Sequence, residues 1–273
     1  MTNLSLVKKG QNKSGDLFYN LDFYMKCFLI PKLMLIAKIA MSQIMLPAYQ
    51  GVVSKIPTVA VMSCPGLATV TDIDNNSYNT VLIGTQCWMA SNLRVTKYNN
   101  GTIIPLDNSG GASGDGSTEW TARTSGARTV YAHNSSNLIA YGYLYNWYAA
   151  TDTREICPAG WHIPSDAEWT TLTNQLGTVS VAGTVMKSNS TLWTVATPPS
   201  PGTNTSGFSA LPGGYRYNNG IFDNIRFIAL FWSATDFGSV NAWFRSLHNY
   251  GGFVYRDNYS SKSLGASVRC LRN

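Results

Sequence analysis

Charge is what this chain has least of. Only 12% of its 273 residues are charged and it has three histidines, where an ordinary globular chain is about one quarter charged. So small a stock of ionisable groups narrows the catalytic options. No Gly-x-Ser-x-Gly elbow, His-Glu-x-x-His pattern or phosphate-cradling glycine loop occurs. His133, His162 and His248 lie far apart and no Cys-x-x-Cys pair is present, which removes the common zinc modules. A clean transmembrane run is also missing. The most apolar stretch, within residues 25–50, is broken by Pro31, Lys32 and Lys38, and a lysine near a span centre costs about 2.5–3.5 kcal/mol on insertion scales.

The net charge of +6 would suggest a polyanion partner, but its distribution argues otherwise. Residues 1–62 carry seven lysines and two aspartates, whereas residues 63–273 carry 13 basic against 12 acidic side chains. A nucleic-acid reader needs its basic patch on the folded domain, so no nucleic-acid partner is expected. Residues 1–62 read as a leader. Met25-Lys26 followed by an apolar run and then small and polar residues has the layout of a secretory signal. A membrane anchor and a short packed amphipathic helix are the alternatives, and membrane contact is expected only through this leader. Translation from Met25 would make residues 1–24 an artefact of gene calling. Cys27 precedes the apolar run, the wrong side for lipid attachment.

Four cysteines remain: Cys64, Cys87, Cys157 and Cys270. An even number at wide spacing suits disulfides in an oxidising compartment, hence a secreted or cell-surface location. Three connectivities are possible. Cys157–Cys270, closing the C-terminal strand onto the body, with Cys64–Cys87 at the entry hairpin, is the favoured one.

Aromatics, glycine and neutral polar residues are abundant: eight Trp, 15 Tyr and 24 Gly. Such a chain has ample apolar surface to bury, and Tyr, Ser, Gly and Asn suit contact surfaces at low entropic cost. Val70–Ile83 reads as a hairpin about Asp74-Asn75-Asn76. Residues 107–137, rich in Ser, Gly and Thr, read as a surface excursion. Tyr141–Ala150 is aromatic all round and reads as a buried helix. The clearest helix follows Ser165, whose spacing to Glu168 forms a capping box. Its Trp169, Leu172 and Leu176 share a face, and Gly177 marks its end. Asp166 and Glu168 are first-turn charges there rather than a catalytic pair. His162 reads as a packed, hydrogen-bonded histidine. Beyond Met186 the chain becomes short strands and loops, ending in a strand over Ala266–Leu271. The expected fold class is α+β, with two helices, many short twisted strands and long loops.

Several phrases occur together: Ile83–Met89 (IGTQCWM), Tyr141–Tyr148 (YGYLYNWY), Cys157–Ser165 (CPAGWHIPS), Gly207–Arg216, Trp232–Thr235 (WSAT) and Ser267–Cys270 (SVRC). In order and spacing they resemble the Fibrobacter succinogenes major paralogous domain family over residues 63–273. The resemblance implies a bacterial exported or surface protein with a C-type-lectin-like fold, similar to formylglycine-generating enzymes and to the variable proteins of diversity-generating retroelements. Neither Glu-Pro-Asn nor Gln-Pro-Asp occurs, so the calcium-dependent sugar motif is missing. The oxidase relatives use two late cysteines, and only Cys270 lies late here. The expectation is therefore a binding module, not an enzyme, with no cofactor, no metal and a protein or glycan ligand. Three functions are carried forward: a retroelement-diversified binder, an ordinary paralogous surface or structural domain, and a formylglycine-generating-type oxidase. Every residue from Phe244 to Ser261 is reachable by adenine-directed mutation of Asn codons. However, Lys, Glu, Gln and Met are absent from the whole of Ser188–Ser261, so that signal is not local.

The rings in the last third are too many for one core. Those of Phe227 and Phe237 add to the ligand-contact candidates, which are Tyr217, Phe222, Arg245, His248, Asn249, Tyr250, Phe253, Tyr255, Arg256, Asp257, Asn258 and Tyr259. Trp232 and Trp243 are expected in the core.

Overall fold

A computed structural model describes residues 61–197 and 199–273. The leader reading, with its signal or anchor segment 25–50 and Cys27, lies outside the described residues apart from Val61 and Met62. In chain order the elements begin β1 (Thr69–Thr71), β2 (Ser77–Ile83), β3 (Gln86–Met89), α1 (Thr118–Thr121), β4 (Arg128–Thr129), α2 (Ser135–Tyr141), β5 (Leu144–Tyr145), α3 (Trp147–Ala150) and β6 (Trp161–His162). They continue with α4 (Asp166–Gln175), α5 (Ala182–Met186), β7 (Gly213–Arg216), β8 (Phe222–Ile225), β9 (Ile228–Phe237), β10 (Asn241–His248), β11 (Val254–Ser261) and β12 (Leu271–Arg272).

The class is α+β. One five-stranded sheet runs β1-β2-β3-β12-β6, a second runs β11-β10-β9-β7-β8, and β4 and β5 form a ribbon. Only β7 with β9 pairs parallel among the named strands. The β1–β2 hairpin forms where expected, because Asp72 Oδ1 accepts from the backbone N–H groups of Asp74 and Asn76, and Asn75 takes φ of 64°. These contacts cage the turn between strands. The capping box at Ser165–Glu168 is also present, and α4 buries Trp169 and Leu172. Gly177, at φ 114°, sits one residue past the Leu176 cap.

Two sequence expectations are corrected and one is refined. The described residues hold five α-helices, of which only α2 and α4 exceed five residues. Tyr141–Ala150 is not one helix: α2 ends at Tyr141, Gly142 at φ 80° turns the chain, and Leu144–Tyr145 pairs with β4. Asn146 then caps a new helix through Ala149 N–H. Burial on every side there comes from layers of strand, which periodicity cannot distinguish from a buried helix. Residues 107–137 include the expected surface excursion, most of 108–125 being exposed, but it is anchored by fully buried Asp107 and Trp120. Asp107 accepts from Arg123 Nε and Arg216 Nη1, and the Arg216 guanidinium stacks over Trp120 at 4.5 Å.

Two apolar clusters flank the second sheet. On one side Trp88, Trp169, Phe208 and Phe231 pack ring on ring, with centroids 4.9–5.9 Å apart. On the other, Tyr145, Trp161, Trp232 and Phe244 belong to the same apolar cluster as the Cys157–Cys270 disulfide. Cys64–Cys87 closes the entry hairpin. Both pairs are the favoured connectivity.

Arg269 joins these parts. It is fully buried, and among the described residues no carboxylate pairs with it. Its guanidinium donates instead to Asn92 Oδ1 and to the carbonyls of Met89, Phe208 and Ser209, and stacks 4.6 Å from the Phe208 ring. Burial lowers its pKa to about 9, so it stays charged at neutral pH. One side chain thus ties the C-terminal segment to β3 and to the Gly207–Arg216 segment.

Four outcomes are expected. Peptide mapping under non-reducing conditions should recover Cys157–Cys270 and Cys64–Cys87. Replacing the first pair by alanines should cost about 4–5 kcal/mol in urea unfolding, for a loop of order 100 residues. Arg269→Met should cost about 3–5 kcal/mol by the same measure, because several buried carbonyls lose their donor. Arg269→Lys should recover only part of that, since an ammonium lacks the planar fork.

Candidate functional site

Strand alternation decides which side chains the second sheet presents. Register partners share a face. Phe231, Arg245 and Arg256 therefore lie together on the α4 side, while Phe244 and Asp257, and Leu230, Ser246 and Tyr255, lie on the other. Part of that second face is covered by the core around Trp232, and exposed Tyr217, Tyr250 and Tyr259 border the rest.

Two clefts mark the open part. A cavity of 120 Å³ lies among Tyr215, Tyr217, Phe244, Ser246 and Tyr259. A wider cleft of 500 Å³ lies among Ala196, Asn224, Phe227 and Tyr250, and the two share Ile228 and His248 as their dividing wall. His248 is held in place: Nδ1 lies 2.7 Å from Tyr250 Oη, Nε2 lies 3.2 Å from Ser246 Oγ, and its ring packs 4.5 Å from Tyr255. Burial and the nearby Lys187 both lower its pKa, so it is neutral at pH 7. The phenols of Tyr215 and Tyr217 lie 3.0 Å apart, and Asn224 Nδ2 donates to Tyr215 Oη. Burial raises the Tyr215 pKa, which makes it a hydrogen-bonding group and not a nucleophile. Gly214, at φ 62°, lets β8 close over β7, since a Cβ there would strike the Asp223 carbonyl at 2.5 Å.

The sequence candidates divide by placement. Tyr217, His248, Tyr250, Tyr255, Asp257 and Tyr259 gather on the open face, with Phe253 exposed at the loop beside Tyr255. Phe222, Arg245 and Asn249 are buried. Phe222 packs beneath Arg216 and His133, and Asn249 Nδ2 donates to the Thr194 carbonyl. Arg245 Nη1 donates to Asp166 Oδ1 at 2.6 Å, and Arg256 reaches the same carboxylate from outside at 2.7 Å. Burial alone would raise the Asp166 pKa, but these two guanidinium groups outweigh it and hold it low. Trp232 is core as expected. Trp243 is only half-buried, with Arg256 stacked 3.8 Å above it. Asn258 lies half-buried beside the bulge of β11. His162 is less enclosed than expected, meeting Glu168 at 3.0 Å with about a third of its side chain exposed.

Sequence reasoning missed Tyr215, Asn224, Ile228 and Ser246. The Gly-Gly-Tyr-Arg-Tyr phrase offered the one usable signal, since Tyr215 and Tyr217 stand two apart as same-face strand residues do.

The loops beside the clefts are pinned from beneath. Lys187, almost fully buried, donates from Nζ to the carbonyls of Ser200, His248 and Gly251 at 2.8–3.0 Å. Burial lowers its pKa to about 8. Because the folded state binds this proton less tightly than the unfolded state, the penalty is complete below pH 8. It fades as pH rises towards the ordinary lysine value. Among the described residues no group of three or more His, Cys, Asp or Glu is arranged to hold a metal.

The difference in unfolding free energy between wild type and Lys187→Met should therefore change between pH 7 and 10.5. Wild type should gain stability relative to the variant across pH 8–10.5, and denaturant titrations at four pH values would measure it. Taking the difference cancels the tyrosines, whose raised values make stability fall above pH 10 in both proteins.

The fold and site together define an α+β domain, cross-braced by two disulfides, with an open aromatic sheet face. Residues 81–272 match the model of the Fibrobacter succinogenes major domain, and the chain belongs to that family. The match starts within β2, later than the residue 63 suggested by the motifs. No curated protein and no solved structure matches the chain.

Proposed function

We propose that this is an exported, surface-displayed binding domain of C-type-lectin-like architecture, without catalytic activity, whose ligand meets the open face of the second sheet. One observation carries the reading. Exposed Tyr217, Tyr250 and Tyr259 line two adjacent clefts, with exposed Phe253 in the loop nearby, while the strands beneath are fixed by Arg269, Lys187 and two disulfides. Rigid aromatic anchors on a preorganised frame are what recognition needs.

Two disulfides favour an oxidising compartment, and among the described residues no helix is long and apolar enough to cross a membrane. Cys157 and Cys270 are bonded to each other and buried. That pairing weighs against an oxidase with two free late thiols. Retroelement diversification is the narrower form of this proposal. Within Phe244–Ser261, Phe244, Arg245, Leu247 and Val254 are packed inward. Only outward positions such as Tyr250, Asp257 and Tyr259 have room to vary, so an undiversified surface domain explains the segment equally well. A reverse transcriptase and template repeat beside the gene would favour the narrower form.

The protein should be tested on glycan and peptide arrays alongside a Tyr250→Ser/Tyr259→Ser double variant and an Ile139→Ser control, which alters an exposed residue of α2. Signals should fall at least tenfold in the double variant and persist in the control. Signals unchanged by the double variant would sink the proposal.

A further inference from the structure

Three clefts follow one another on and beside the open face, and no ionised side chain lines them. The first, of 220 Å³, lies among Ser190, Trp193, Val195, Pro199, Pro201 and Asn249. It shares Ala196 and Asn249 with the 500 Å³ cleft, which in turn shares Ile228 and His248 with the 120 Å³ cavity. Among the described residues no Asp, Glu, Lys or Arg lines any of the three, and His248 is neutral. Neutrality is not general to the clefts of this molecule, since a fourth, of 510 Å³, is lined by Asp152 and Glu155.

The polar groups that remain are of one kind. Tyr215, Tyr217, Ser246 and Tyr259 bring hydroxyls to the cavity, and Asn224 and Asn249 bring amides to the cleft beside it. Hydroxyls and amides both donate and accept. Exposed rings stand next to them: Phe227 and Tyr250 at the 500 Å³ cleft, Tyr217 and Tyr259 at the cavity.

Internal bonds fix the spacing of the clefts. Lys187 Nζ donates to the carbonyls of Ser200, which lines the first cleft, and of His248, which lines the other two. Asn249 donates from Nδ2 to the Thr194 carbonyl of the first cleft, and from its backbone N–H to the Phe227 carbonyl of the second. A ligand that spans the row meets walls already in place, which spares the entropy of ordering them.

We infer that this row of clefts binds a neutral oligosaccharide over several sugar units, without calcium. Ring faces cover the apolar C–H faces of pyranoses, and groups that both donate and accept match sugar hydroxyls that do the same. The missing charges bear on the alternatives. An acidic glycan would need a cation in the walls, and a calcium-bridged sugar would need the carboxylate oxygens that this ion takes. An extended peptide is held through free main-chain groups, but β9 and β10 beneath the clefts already have a strand on each side. The inference rests on the open face being the contact surface, and it adds the class of ligand and the extent of its site.

The test is a titration of the ¹⁵N-labelled full chain with cellohexaose, maltohexaose, mannohexaose and xylohexaose, with hexagalacturonate as the acidic comparison. At least one neutral hexaose should shift the amides of Thr194, Tyr250 and Tyr259 together and saturably. Its disaccharide should bind about tenfold more weakly, because it cannot reach all three clefts. Excess EDTA or about 0.5 M NaCl should leave the affinity unchanged. Tyr259→Ala removes a side chain that is 71% exposed, so the fold should persist while the hexaose weakens about tenfold. The assignment is overturned if no neutral hexaose moves these amides, if hexagalacturonate moves them more strongly, or if EDTA abolishes binding. Shifts confined to one cleft, with the disaccharide binding as tightly, would overturn the extended site. If the peptide acetyl-Gly-Ser-Asn-Ser-Gly-amide moves the amides and no saccharide does, the saccharide assignment falls and the contact face stands. If no probe moves them and array signals ignore Tyr250 and Tyr259, the underlying contact-face reading falls as well.

Discussion

The architecture depends on a buried cation with no anion. Arg269 carries its charge into the core and is neutralised only by carbonyl dipoles and by the Phe208 and Phe231 rings. An isolated buried charge would be costly, so its carbonyls must converge with good geometry before the residue is tolerable. That requirement fixes where Asn92, Met89, Phe208 and Ser209 can lie relative to the C terminus. Adjacent Cys270 adds a covalent constraint in the same place, through Cys157. The last five residues are therefore where the two sheets are fastened.

The same device supports the open face. Lys187 is a second buried cation satisfied by carbonyls, and its acceptors include His248 and Gly251, at the end of β10 and in the loop after it. A loop that carries Tyr250 and Phe253 thus rests on an internal post. Five of the ten arginines, Arg123, Arg216, Arg245, Arg256 and Arg269, join segments at least 16 residues apart.

Legibility in the sequence followed the range of the interactions. The β1–β2 turn and the α4 capping box are made by residues two to four apart, and both were readable. For the disulfides the sequence left three connectivities open, and the favoured one is the one formed. Tyr141–Ala150 was misread because its burial comes from neighbouring layers and not from its own period. Among the contact residues, Tyr217, Tyr250 and Tyr259 were identifiable as surplus rings. Phe222 and Arg245 looked the same in composition but point inward, and Tyr215 and Ser246 were missed because only register places them at the cavity.

By itself the sequence determined the class of the domain, its family motifs, which four cysteines are available to pair and the stretch of chain that carries the surplus aromatics. It could do so because those properties depend on residue type and short spacing. Only the tertiary structure decided which side of β10 and β11 is open and which arginines are spent internally. It also decided that Tyr217, Ser246 and Tyr259 line one cavity from strands and turns far apart in the chain. Face and pairing are properties of register, and in this sheet register is set by a bulge after Ala242 and by buried cations whose partners lie up to 180 residues away.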